Sequence, residues 1–199
     1  MLIMLKFGKK RSFRPLIISL VLGLFLGLAF NDIFSPSIGF IFGVSFFLLV
    51  FLGYYWRTSA ILFNYWEVDD KSIRYKDMSL NNCLLMMTIP SLIELKSFSK
   101  DSIESITIHG NLENVKSAPF ALLYNGALGI FSGSVAMAQN QASLAVTLKN
   151  GQKINLDFSR DLIYNKKETL EKLDKLFDSL DSNVKIYNRS NSHSPKLSY

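Results

Sequence analysis

Two histidines, one cysteine and 16 carboxylates are the side chains here that could hold a metal, attack a carbonyl or shuttle protons, and their spacing suits none of these tasks. His109 sits in Thr-Ile-His-Gly and His193 near the C-terminus, too far apart in sequence to make a metal motif. Cys83 has no second cysteine for a disulfide and no Cys or His at ligand spacing; its Cys-Leu-Leu-Met-Met setting reads as a buried strand in a reducing compartment. The carboxylates are scattered, with no pair on neighbouring apolar strands to serve as acid and base. Gly126, Gly129 and Gly133 lack the Lys-Ser or Lys-Thr that follows a phosphate-binding loop. No enzymatic activity, metal or cofactor is expected.

The elements that would have to position any chemistry begin with two apolar runs, Pro15 to Phe30 and Pro36 to Trp56. Between Arg14 and Arg57 the only charged residue is Asp32. Both runs are near the roughly 20 residues a membrane-spanning helix needs, the first if it extends to about Ile33. The net charge is +6, and Lys6, Lys9, Lys10, Arg11 and Arg14 precede the first run without an acid among them. In a membrane protein such a cluster marks the cytoplasmic side, so Lys9, Lys10, Arg11 and Arg14 are candidates for fixing topology and touching anionic lipid. Nucleic-acid binding is not expected. The turn Asn31 to Ser37 then lies outside, and the protein is a multi-pass protein of the cell membrane with both termini cytoplasmic. A rival is a cleavable signal peptide ending at Gly27-Leu28-Ala29, which would leave one span.

Each span carries Gly-x-x-x-Gly: Gly23 and Gly27 in GLFLG, Gly39 and Gly43 in GFIFG. Glycines four apart share one helix face and let backbones approach closely, which suits a seam within the hairpin or between two copies. Tyr54, Tyr55 and Trp56 read as the aromatic belt of the inner interface.

Beyond the membrane the pattern turns to strands. Tyr65 to Tyr75 alternates about a polar turn at Asp69 to Ser72, pairing Val68 with Ile73 and Trp66 with Tyr75. Cys83 to Ile89, Leu92 to Phe98 and Ile103 to Ile108 read as further strands. In Leu144 to Phe158 a two-residue Asn-Gly turn would mix the faces. A three-residue loop, Lys149 to Gly151 with Gly151 at positive φ, instead pairs Val146 with Ile154 and Leu144 with Leu156. From Ser159, a possible cap, Leu162, Ile163, Leu170, Leu173, Phe177 and Leu180 recur at helical spacing opposite a mixed-charge face. Four segments result: a basic N-terminus (1–14), a hairpin (15–56), a domain (57–181) and a polar, disordered tail (182–199).

Two N-terminal membrane helices, the hairpin YWEVDDKSIRY, the stretch FSKDSIESITI, a late Asn-Gly hairpin and a closing amphipathic helix together resemble the bacterial membrane-anchored pleckstrin-homology-like (bPH) domain proteins. The resemblance implies an α+β membrane protein: a two-helix transmembrane hairpin, then a small partly open barrel of about seven strands capped by the C-terminal amphipathic helix. It implies a non-enzymatic interaction module at the cytoplasmic face, or alternatively a bacteriocin immunity or export accessory protein protecting the producer membrane. The partners so implied are the lipid bilayer, another membrane protein or a second copy, and, for the alternative, an antimicrobial peptide or its transporter. Asp69 and Asp70 occupy the first hairpin loop where phosphoinositide-binding relatives carry bases, which disfavours that ligand. Ser117 to Leu148 is uncharged and fits barrel strands with glycine bends, an apolar loop or helix touching bilayer or partner, or a third span. For the second of these, Phe120, Leu123, Leu128, Ile130 and Phe131 are the candidate contacts.

Overall fold

The computed structural model describes residues 4–10, 12–113, 115 and 132–188. The chain is α+β and divides into two units. One, helical, comprises 11–63 and 78–94. The other, β-rich, comprises 1–10, 64–77 and 95–199. The structure thus divides the chain differently from its composition: the β unit takes in a piece of the basic N-terminus, and the helical unit takes in a segment from beyond the hairpin.

In the helical unit, α1 (Arg14–Ile33) opens on Pro15, whose missing N–H costs nothing in a first turn. After a short turn α2 (Pro36–Leu48) starts the same way on Pro36, with Ser35 Oγ accepting from Ile38 N–H at 3.4 Å. The helix continues through a π-helical stretch, Leu49–Trp56, into α3 (Arg57–Leu62). Arg14–Ile33 and Pro36–Ser59, of 20 and 24 residues, are long and apolar enough to cross a membrane. The fourth helix, α4 (Leu80–Thr88), lies where Cys83 to Ile89 is expected as a strand. Its buried residues Cys83, Met86 and Met87 follow a three-and-four spacing, which a strand cannot place on one face. Met86 and Met87 pack with Val50, Phe51, Tyr55 and Phe63.

The β unit opens on a strand that the basic N-terminus conceals, β1 (Leu5–Gly8). It pairs antiparallel with β2 (Tyr65–Val68), from Leu5 opposite Val68 to Gly8 opposite Tyr65. With β3 (Ser72–Lys76) and β4 (Leu95–Ser99) these form a four-stranded sheet, and the hairpin register is as expected, Trp66 opposite Tyr75 and Val68 opposite Ile73. The second sheet has the order β7 (Lys153–Asp157), β6 (Ser143–Leu148), β5 (Ile103–His109) and β8 (Lys185–Asn188), the last parallel to β5. Here too the expected loop forms: Gly151 has φ +82°, Gly151 N–H donates to Leu148 O at 2.8 Å, and Val146 lies opposite Ile154.

Neither sheet closes into a barrel, which corrects that part of the expected fold. The reason is the edge of β5: β8 occupies the side on which β4 would otherwise continue the meander. The strand β8 also falls in the stretch expected to be a disordered tail. The two sheets instead share one core, in which Phe7, Trp66 and Ile73 of the first meet Ile106, Leu144 and Leu156 of the second.

Over the core lie α6 (Ser159–Tyr164) and α7 (Lys166–Asp178), two helices broken at Asn165 where one is expected. Leu162, Leu170, Leu173 and Leu176 point inward. Ser159 is not the cap. Its hydroxyl accepts from Ala142 N–H at 2.8 Å and lies 3.0 Å from Asp157 Oδ2, tying the helix start to β6. Within the uncharged stretch 117–148, residues 132–139 form α5 (Ser132–Gln139) and 143–148 form β6; residues 117–131, with Phe120, Leu123, Leu128, Ile130 and Phe131, lie outside the described residues.

Candidate functional site

Two places carry more than ordinary packing, one in each unit. In the helical unit α1 and α2 cross antiparallel through their glycines. A Cβ built on Gly39 would lie 2.6 Å from Gly27 O, one on Gly43 3.0 Å from Gly23 O, and one on Gly23 2.9 Å from Gly43 O. On Gly27 it would come within 3.3 Å of Gly39 O and of Gly43 Cα. The structure thus brings all four glycines together within one hairpin, where a Cβ on Gly39 or Gly23 would force the backbones to shift and one on Gly27 or Gly43 would need its neighbours to give by a few tenths of an ångström. Near the tip Phe30 stacks on Phe42 with centroids 4.2 Å apart, and lower down Phe47 stacks on Phe51 at 5.4 Å. One side of the seam is an apolar groove of about 410 Å³, floored by the glycines and walled by Leu20, Leu24, Phe40 and Val44. The outward faces are apolar as well, Phe25 and Phe40 being 70% and 73% exposed.

Of the four basic candidates, Lys9 and Lys10 are exposed in the β unit, Arg14 is exposed at the first residue of α1, and Arg11 lies outside the described residues.

In the β unit, the face of the first sheet turned away from the core holds a buried polar cluster. Strand alternation puts Tyr65 and Glu67 of β2 and Arg74 and Lys76 of β3 on that face. Tyr65 Oη donates to Glu67 Oε2 at 2.5 Å, and Arg74 Nη2 is 3.1 Å from Glu67 Oε1 and 3.2 Å from Asp69 Oδ2. Lys76 Nζ donates to the Lys10 carbonyl, and the ammonium groups of Lys10 and Lys76 each stand 5.9 Å from the Tyr65 ring. Tyr65, Glu67 and Lys76 are 3%, 3% and 4% exposed. Burial, and donation to the Glu67 carboxylate, push the Tyr65 phenol well above its usual pKa. Asp69, expected only to repel anionic ligands from the loop, is thereby half of an ion pair.

This cluster is built for holding strands. Among the described residues no three of His, Cys, Asp and Glu come together as a metal site. His109 ends β5 opposite Ser143, and Cys83 is buried in α4 with its thiol 3.6 Å from Met78 O.

The remaining ties converge on β1. Phe7 stacks on Trp66 with centroids 3.9 Å apart, and Lys172 Nζ stands 5.9 Å from the Phe7 ring on α7. Trp66 Nε1 donates to Asp157 O at 2.9 Å, linking the two sheets. Gly8, at φ +78°, donates its N–H to Asp161 Oδ2 at 2.6 Å, and a Cβ there would strike Asn64 O at 2.0 Å. Burial raises the Asp157 carboxyl to about 6 against the hydrogen bonds from Ser159, and raises Asp161 against the Gly8 N–H and Lys172. Sequence reasoning passes over β1 because its four residues are too few for a periodic signal; the alternation Leu5, Phe7 against Lys6 is its only trace.

Compared with family models, curated proteins and solved structures, the chain matches none.

Proposed function

We propose that this chain is a non-enzymatic, membrane-anchored interaction module. Its glycine-seamed hairpin spans the cell membrane, and its β unit, of pleckstrin-homology-like kind, stands on the cytoplasmic side. There it presents a surface to another membrane protein or to a second copy. One observation carries this: the strand before the hairpin and the strand after it are partners in one sheet, Gly8 opposite Tyr65. A single hydrogen-bonded ladder cannot have strands on both sides of a bilayer. The segment between them therefore crosses an even number of times, which agrees with two spans. The bases before α1 and Arg57 after the π-helical stretch, against a turn whose one charge is Asp32, support a cytoplasmic β unit. The role of Phe7 in the core supports retention of the first helix, since cleavage near Ala29 would remove β1. The run of seven strands before α6 and α7 supports the pleckstrin-homology-like assignment, with two sheets in place of a closed barrel and β8 added after the helices.

Topology is tested with single cysteines in a Cys83→Ser background. Ser37→Cys, exposed in the first turn of α2 beside the hairpin turn, is expected to react with an impermeant maleimide in intact cells, and Lys167→Cys on α7 only after permeabilisation. Labelling of Lys167→Cys in intact cells would sink the orientation. Lysine cross-linking of intact membranes is expected to give discrete higher-mass adducts of the full chain; a monomer band alone counts against an interaction module.

A further inference from the structure

We infer that α4 and the turn after it, residues 78–93, form a third membrane-contacting element, a helix embedded in the inner leaflet with one face in lipid. This rests on the hairpin lying in the bilayer. The chain carries no charge between Asp77 and Glu94. The inner face of α4 packs Met86 and Met87 against Val50, Phe51 and Tyr55, so the helix lies beside the last turns of the second span rather than out in water. Its other face is charge-free and mainly apolar, with Thr88 and Ser91 exposed among the apolar residues. Leu85, Ile89 and Leu92 recur at four and three along α4 and the following turn (Pro90–Leu92), and are 39%, 49% and 63% exposed. In the same unit the π-helical stretch also exposes apolar side chains, Leu49 and Leu52 being 63% and 38% exposed.

The backbone fits such a place. Ile89 N–H donates to Leu85 O at 2.7 Å, and the Thr88 hydroxyl donates to Leu84 O at 3.0 Å, so these two donors at the end of the helix are satisfied from within. A mainly apolar face beside a span, without a charge on the segment itself, is suited to acyl chains. Lipid is the occupant inferred; a protein partner is the alternative that the test separates.

The test uses the full chain in vesicles of phosphatidylethanolamine and phosphatidylglycerol, with Cys83→Ser and one environment-sensitive fluorophore at Leu85→Cys or Leu92→Cys. Phe40→Cys, in mid-hairpin, and Lys167→Cys, on an exposed helix face, are the references. Both α4 positions are expected to show blue-shifted emission, quenching by spin-labelled lipid, and an iodide-quenching slope several-fold below that of Lys167→Cys. Iodide access at Leu85→Cys and Leu92→Cys with protection at Phe40→Cys would overturn the inference and leave the hairpin in place. Protection from both quenchers would also overturn it, because protein then covers the stripe. Iodide access at Phe40→Cys as well would instead remove the membrane placement of the hairpin. Two labelled positions guard against one variant misfolding, and retained fluorescence of buried Trp66 checks the fold.

Discussion

Phe7 and Asp157 are the residues at which the β unit is most exposed to single changes. Phe7 is fully buried between Trp66 and the Lys172 ammonium. Phe7→Ala removes a ring from a packed core and is expected to cost about 3–5 kcal/mol, read as a fall in the midpoint of chemical unfolding followed through Trp66 emission. Asp157 makes a pH prediction. Its carboxyl binds a proton more tightly in the folded chain, at about 6, than at its ordinary value of 3.8. The folded state therefore holds the extra proton between those values, and stability falls as pH rises from about 4 to about 6, by roughly 2–3 kcal/mol from this group. Asp161, raised in the same direction, adds to the slope. Asp157→Asn keeps an acceptor for Ser159 N–H and is expected to flatten most of that slope, measured as unfolding free energy against pH for both chains; an unchanged slope would place the titration elsewhere.

The hairpin is the element whose energetics depend most on what is missing. Its helices touch through backbone, and in the membrane placement proposed above lipid would offer no hydrophobic drive to hold them, so close packing must. Gly39→Leu places a side chain within 2.6 Å of Gly27 O and beside Asn31. It is expected to cost about 1–3 kcal/mol as overpacking and to splay the hairpin. A donor and acceptor fluorophore pair on the two helices would report reduced transfer, while Ile41→Leu, two residues on, 61% exposed and outside the groove, is expected to leave transfer unchanged. Loss of transfer in both variants would mean that the glycines are not the seam. The hairpin joining β6 to β7 behaves differently. Gly151 has open space around it but positive φ, so Gly151→Ala costs through backbone strain, not collision.

For the whole molecule the decisive feature is discontinuity. The strand β1 completes a sheet whose other strands follow the hairpin, and the chain passes between the helical and β units four times, at 10/11, 63/64, 77/78 and 94/95. Truncation through Gly8 is expected to leave the hairpin in the membrane while exposing Trp66 and the open edge of β2. Limited proteolysis of membranes would then cut 64–77 and 95–188 rapidly in the truncated chain and slowly in the intact one. Equal resistance of the two would mean that β1 is dispensable.

Residue order alone determined whatever depends on local period. Two uncharged runs of spanning length can only be apolar helices, alternation about Asp69 to Ser72 and about Gly151 set both hairpin registers, and the spacing of Leu170 and Leu173 set the buried face of α7. Glycine spacing likewise marked a face, though not which helix would meet it. Tertiary structure decided everything that turns on distant partners. Cys83 to Thr88 is apolar enough for a strand, and only packing of Met86 and Met87 against the second span makes it a helix. Glu67 looks like the solvated side of a hairpin until Tyr65 and Arg74 close over it. β1 gains its partner 57 or more residues away, from Gly8 to Tyr65 at the nearest, and β8 takes the edge of β5 that would have let the sheets join. Local patterns bias a segment's own dihedrals and faces, whereas the choice of sheet edge is made by burial and hydrogen bonding summed over the assembled core, and no stretch of sequence contains that sum.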